Sequence, residues 1–168
     1  DLQRTLDRAL KVPLEAEIAT FRQALLGVSD VLFLADNTGE IVFDRLLIEQ
    51  LPCPQVTVAV RGAPVINDAT REDAETAGLT ERYEVIDNGS DGPGTILTDC
   101  SAAFVRRFEQ ASLIIAKGQG NYETLSDVAG NIVFLFMAKC AVITSRLGCP
   151  IDTFQVHWTG QSSREEGA

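Results

Sequence analysis

Five short, mostly apolar runs recur along the chain, each followed by a polar loop or a helical pattern, and this alternation limits the available folds more than any other feature. The runs are Val31 to Ala35, Val56 to Val60, Tyr83 to Ile86, Leu113 to Ala116 and Ile132 to Met137. Their length and bulk suit strands covered on both faces of a parallel sheet. Between and after them, helical spacing predicts helices over Glu40 to Leu51, Thr70 to Gly78, Asp99 to Ala111, Tyr122 to Ala129 and Cys140 to Leu147. In the first of these, Ile41, Leu46, Leu47 and Leu51 are expected to face inward. Strand alternating with helix is the pattern of βαβ units with right-handed crossovers. The expected fold is α/β, a three-layer α/β/α sandwich around a mainly parallel, Rossmann-like sheet.

Ahead of the first strand, Leu2, Leu6, Leu10, Leu14, Ile18, Phe21 and Leu25 recur every three or four residues, as on the buried stripe of a helix or helix pair interrupted at Pro13. Residues 1–26 therefore read as a helical lead-in, 27–157 as the α/β domain and 158–168 as a loose polar tail. The start at Asp1 has neither an initiator Met nor a basic stretch leading into an apolar one, as in a trimmed beginning.

Composition removes several function classes. The formal net charge is −10 and the 14 Lys and Arg residues are scattered, so no basic stripe is present to displace counterions from a nucleic acid. No apolar run approaches the roughly 20 residues of a membrane helix. Cys53, Cys100, Cys140 and Cys149 form no C-x-x-C pair, and are read as free thiols of a soluble cytoplasmic protein. Nothing in the sequence indicates an oligomeric state.

In open α/β sheets, ligands bind beyond the carboxyl ends of the strands. Here those ends lead into Asp36-Asn37-Thr38-Gly39-Glu40, Arg61-Gly62 through Asn67-Asp68, Asp87-Asn88-Gly89 through Gly94, and Lys117-Gly118-Gln119-Gly120-Asn121. Carboxylate and amide oxygens are hard ligands for Mg²⁺ or Mn²⁺, and glycine-rich backbone can turn its N–H groups toward an anion. Asp36, Asn37 and Asp68 are the candidate metal ligands, and Lys117 is the candidate partner of a bound phosphate. Glu40 reads as a first-turn helix residue. Asp87 and Asp91 are possible ligands or hydroxyl acceptors, although turn chemistry explains their surroundings equally well. The lone histidine, His157, lies far from these loops and reads as a packing or surface residue, which leaves a Ser-His-Asp triad without support.

Taken together, Asp36-Asn37-Thr38-Gly39-Glu40, the stretch from Arg61-Gly62 to Asn67-Asp68-Ala69-Thr70, Asp87-Asn88-Gly89 and Lys117-Gly118-Gln119-Gly120-Asn121 resemble the motifs of the damage-control phosphatase family, in its compact archaeal and bacterial form. The resemblance implies a phosphatase acting on small phosphorylated metabolites, such as sugar phosphates or damaged cofactor derivatives, with Mn²⁺, Co²⁺, Ni²⁺ or Mg²⁺ as cation. Carried over, Asp36, Asn37 and Asp68 would hold the metal, Asp36 and Lys117 would serve catalysis, and Asn67, Gly118, Asn121 and Asp87 would line the substrate pocket. Water activated by the cation is favoured as nucleophile over direct attack by an aspartate. Relatives also carry a sizeable helical segment before the α/β part, of which residues 1–26 would be a remnant. A haloacid-dehalogenase-type site would need Asp-x-Asp, where this chain has Thr38, and the first strand lacks the Gly-x-Gly-x-x-Gly of a dinucleotide- or methyl-donor-binding enzyme. A domain that binds metal and phosphate ligands without turnover is the remaining alternative.

Overall fold

The structure is a computed structural model that describes residues 12–159. The first part of the leucine stripe (Leu2, Leu6 and Leu10) and the tail from 160 onward lie outside the described residues. In chain order the elements are α1 (Glu15–Leu25), β1 (Val31–Leu34), α2 (Ile41–Ile48), β2 (Val56–Val60), α3 (Arg71–Thr76), β3 (Glu84–Asp87), α4 (Ala102–Gln110), β4 (Leu113–Lys117), α5 (Gly118–Leu125), β5 (Ile132–Ala138), α6 (Ala141–Leu147) and β6 (Thr153–Trp158).

The six strands form one sheet in the order β3-β2-β1-β4-β5-β6, in which β1 to β5 are parallel and β6 runs antiparallel to β5. Alternation along the central strands divides the core between two layers of helices. Val31 and Phe33 of β1 join Phe21, Leu25, Ile41, Ile48 and Ala74 from α1, α2 and α3. Leu32 and Leu34 point the other way, to Phe104, Phe108, Tyr122, Leu125 and Ile143 from α4, α5 and α6. The expected three-layer sandwich is therefore formed, and every residue of β1 and β2 is buried.

Three expectations need correction. The fourth predicted helix begins at Gly118 rather than Tyr122. Gly118 has φ of +80° and converts extended Lys117 directly into helix, a conformation open to glycine at little cost. The Gly-Gln-Gly is thus the first turn of α5 rather than part of the loop after β4. Second, α2 turns Ile41, Asp44 and Ile48 inward, leaving Leu46 at 58% exposure beside exposed Val42 and Phe43. An acid displaces a leucine from the inner face because a lysine waits there, as described below. Third, β6 was not anticipated. It is an edge strand with every residue only half-buried, so its apolar signal is weak. His157 sits in β6 and packs edge-on against Tyr122 with ring centroids 5.4 Å apart, in keeping with its reading as a packing residue.

Phe33 is fully buried in the central strand. Phe33→Ala is expected to lower the unfolding free energy by about 3–5 kcal/mol in urea titrations; a loss below about 1 kcal/mol would contradict the core described here.

Candidate metal and phosphate site

The sheet order reverses between β1 and β4, whose carboxyl ends diverge to opposite helix layers and open a crevice there. The loops after β1 and β2 are joined across this edge by backbone. Ala69 N–H donates to Asp36 O at 2.7 Å, Thr38 N–H donates to Asn67 O at 2.9 Å, and Asn37 and Asp68 form an isolated antiparallel bridge. Arg61 N–H in turn donates to Ala69 O at 2.9 Å. Asp36, Asn37 and Asp68, separated by 30 residues of sequence, are thereby placed side by side.

The other wall of the crevice is Gly118. A Cβ added there would lie 2.0 Å from Asp36 Oδ2, so the start of α5 approaches the carboxylate more closely than any side chain would allow. Asp36 pays electrostatically for this position. Burial, followed by the negative charges of Asp68 and Glu40, raises its pKa from 3.8 to about 6, against the pull of Arg61 and Lys139.

Arg61 is the hub beneath the edge. Only 3% exposed, it donates from Nε to Asp68 Oδ2 at 2.6 Å, from one terminal nitrogen to Thr95 Oγ1 at 3.2 Å and from the other to Asn121 Oδ1 at 3.3 Å. Asn121 is fully buried, and its amide donates to Lys117 O at 2.7 Å and Ala35 O at 3.3 Å. The position assigned on sequence to substrate contact therefore ties the ends of β1 and β4 to Arg61. Asn67 contributes its backbone to the loop pairing and exposes its side chain on the rim. Asp87 ends β3, across β2 from β1, and is exposed; Asp91 is exposed as well. The structure brings Asp36, Asn37, Asp68, Lys117, Gly118 and Asn121 into one neighbourhood and leaves Asp87 at its margin.

Lys117 Nζ donates to Asp44 Oδ1 at 2.6 Å and to Glu40 Oε2 at 3.2 Å. Burial works against its charge, but Asp44 and then Glu40 outweigh burial and hold the ammonium pKa above its ordinary value. Asp44, 3% exposed, has its carboxyl pushed upward by burial and pulled only partly back by Lys117. Sequence reading missed Asp44, although an acid at the step between Ile41 and Ile48 was a visible signal. It also missed the hub role of Arg61, and Lys139, an exposed cation just past β5 whose charge acts on Asp36. Lys139 N–H donates to Gln119 Oε1 at 2.7 Å, which pins this loop to the first turn of α5.

The residues present fit a divalent cation. Among the described residues no group of three or more His, Cys, Asp or Glu side chains is gathered for a metal, and the candidate donor set would be two carboxylates, Asp36 and Asp68, with the amide oxygen of Asn37. These are hard oxygens of the kind Mg²⁺ and Mn²⁺ accept alongside water. Asn37 Oδ1 accepts from Gly39 N–H at 2.8 Å and retains a second lone pair, and Asp68 has one oxygen outside its bond with Arg61. The raised pKa of Asp36 reflects burial first and then the anionic neighbours Asp68 and Glu40, whose charge a cation would neutralise.

Comparison with known proteins identifies the family and the fold. The damage-control phosphatase ARMT1-like domain matches residues 1–153. A damage-control phosphatase of Pyrococcus horikoshii is 37% identical over 155 residues, covering 89% of this chain and 54% of the relative. One from Archaeoglobus fulgidus is 38% identical over 151 residues, covering 88% and 51%. An uncharacterized protein of Methanocaldococcus jannaschii is 41% identical over 130 residues, covering 74% and 43%. The crystal structure of a DUF89 family protein from Pyrococcus horikoshii superposes with a TM-score of 0.80 at 36% identity, over 84% of this chain and 51% of that one. The chain thus spans about half the length of the curated relatives it matches.

With its carboxyl held at about 6 against an ordinary 3.8, Asp36 binds a proton more tightly in the folded, metal-free chain than in the unfolded one. The resulting stability is complete below the unfolded pKa and is lost as pH rises through the folded pKa. Asp36→Asn is neutral throughout. It is expected to raise the melting temperature of metal-free protein above neutral pH by roughly 3 °C more than at about pH 4. An effect independent of pH across this window would contradict the raised pKa that burial and then Asp68 and Glu40 give Asp36.

Proposed function

Because the chain belongs to the damage-control phosphatase ARMT1-like family, we propose that it hydrolyses phosphomonoesters of small metabolites, sugar phosphates or damaged phosphometabolites, with a divalent cation at Asp36, Asn37 and Asp68. The observation that carries this reading is the pairing of the Asn37 and Asp68 loops beside Asp36 at the point where the sheet order reverses, facing Gly118 and flanked by Lys117 and Lys139. The four free thiols suit a reducing cytoplasm.

Each part of the chain has a definite task in such a reaction. The start of α5 offers backbone N–H groups at its positive end, and the missing Cβ at Gly118 makes room there for the Asp36 carboxylate. Lys117 brings a charge whose position is set by two carboxylates, and Lys139 brings one from the rim. Asp36 anchors the assembly because it directly follows a rigid, buried strand. When bound, Mn²⁺, Co²⁺, Ni²⁺ or Mg²⁺ supplies charge for the phosphoryl oxygens and lowers the cost of ionising an attacking water.

Metal-stripped protein is expected to release no phosphate from p-nitrophenyl phosphate until one of these cations is added, and Asp36→Ala should reduce the restored rate by more than about 100-fold. Undiminished turnover without metal, or in Asp36→Ala, would exclude this mechanism. Lys139→Ala should raise KM about fivefold while leaving kcat nearly unchanged. An unchanged KM would remove Lys139 from substrate binding.

A further inference from the structure

We propose that Asp44 and Glu40 divide the work on Lys117: Asp44 is a permanent positioning residue, and Glu40 is a stand-in for the substrate anion that leaves the ammonium when phosphate arrives. The proposal rests on the reading of Lys117 as the phosphate contact.

Both acids come from the start of α2, one helical turn apart, and so reach the same point from one face of the helix. Their bonds differ in every physical respect. Asp44 lies 2.6 Å from Nζ with its side chain 3% exposed, whereas Glu40 lies at 3.2 Å and is 46% exposed. The second oxygen of Asp44 is buried without a hydrogen-bond partner, so its carboxylate cannot turn away from Lys117 toward water. Removing the lysine from Asp44 would strand a buried charge. Glu40 can exchange its ammonium for solvent with little loss, since a half-exposed ion pair contributes weakly. Lys117 is itself only 15% exposed, so losing both partners would strand its charge, whereas keeping Asp44 leaves it paired. A phosphate oxygen offers the lysine the same chemistry as the Glu40 carboxylate with more negative charge, and Glu40 also lies near enough to Asp36 to raise its pKa. In the absence of substrate, Glu40 keeps Lys117 satisfied as its second partner.

The test measures calorimetric binding of inorganic phosphate to the full chain at saturating Mn²⁺. Glu40→Gln should tighten phosphate binding about two- to fivefold. Glu40→Asp, which keeps the charge but shortens its reach, should tighten it as well. Asp44→Asn should weaken it about tenfold while leaving Mn²⁺ affinity at the parental value, a split that general loss of structure would not produce. Parental phosphate affinity in both Glu40 variants overturns the exchange, and a gain confined to Glu40→Gln overturns it in favour of a charge effect through space. Unchanged phosphate affinity in Asp44→Asn overturns the positioning role. Undiminished affinity in Lys117→Ala instead defeats the functional reading of Lys117, and the exchange falls with it.

Discussion

Arg61 carries a positive charge into the carboxyl edge of the sheet at 3% exposure, and the site is built around that buried guanidinium. A buried charge must be paired and hydrogen-bonded or it destabilises the fold by several kcal/mol, on the order of 3–5 when one partner is removed. Asp68, Thr95 and Asn121 meet this demand from three separate loops or helices. Because Asn121 also holds the carbonyls of Ala35 and Lys117, the same network fixes the divergence of β1 and β4. The geometry of the crevice is thus a consequence of satisfying one cation beneath it.

Above that network the charge balance is unfavourable to a phosphate. Asp36, Glu40, Asp44 and Asp68 face Arg61, Lys117 and Lys139, and each of the first two cations is already bound to a carboxylate. An anionic substrate would meet a surplus of negative charge on a chain whose net charge is already −10. A divalent cation among Asp36, Asn37 and Asp68 reverses that local sign. The rise of the Asp36 pKa to about 6, caused first by burial, is increased by the Asp68 and Glu40 charges of this imbalance. The proposed metal dependence would thus answer the electrostatics of the fold as well as the chemistry of the candidate ligands.

Much of this was legible from sequence. β1, β2, β4 and β5 are short and mostly buried on both faces, so apolar runs mark them to within a residue, and the polar segments that follow had to meet at one edge of a parallel sheet. The Asp36, Asn37, Asp68 and Lys117 neighbourhood followed from that geometry. What escaped notice depends on contacts between distant residues. Asp44 is an acid on an inward helical stripe, explicable only once Lys117, 73 residues away, is seen beside it. Arg61 stands in the sequence only as the first residue of a polar loop, and its role emerges where its three partners converge. Asn121 was placed in the right neighbourhood, where its side chain is occupied with holding backbone together. β6 lies at the edge, where partial exposure blurs the alternation that marks a buried strand.

The most direct test of a joint metal and phosphate site is the ³¹P relaxation rate of inorganic phosphate in the presence of the protein and Mn²⁺. Paramagnetic relaxation falls steeply with separation, so phosphate bound beside Asp36, Asn37 and Asp68 should relax far faster with protein and Mn²⁺ together than with either alone, and the enhancement should disappear in Asp36→Ala. Phosphate that binds the Mn²⁺-loaded protein without this enhancement would place the anion and the cation in separate sites, contradicting the account.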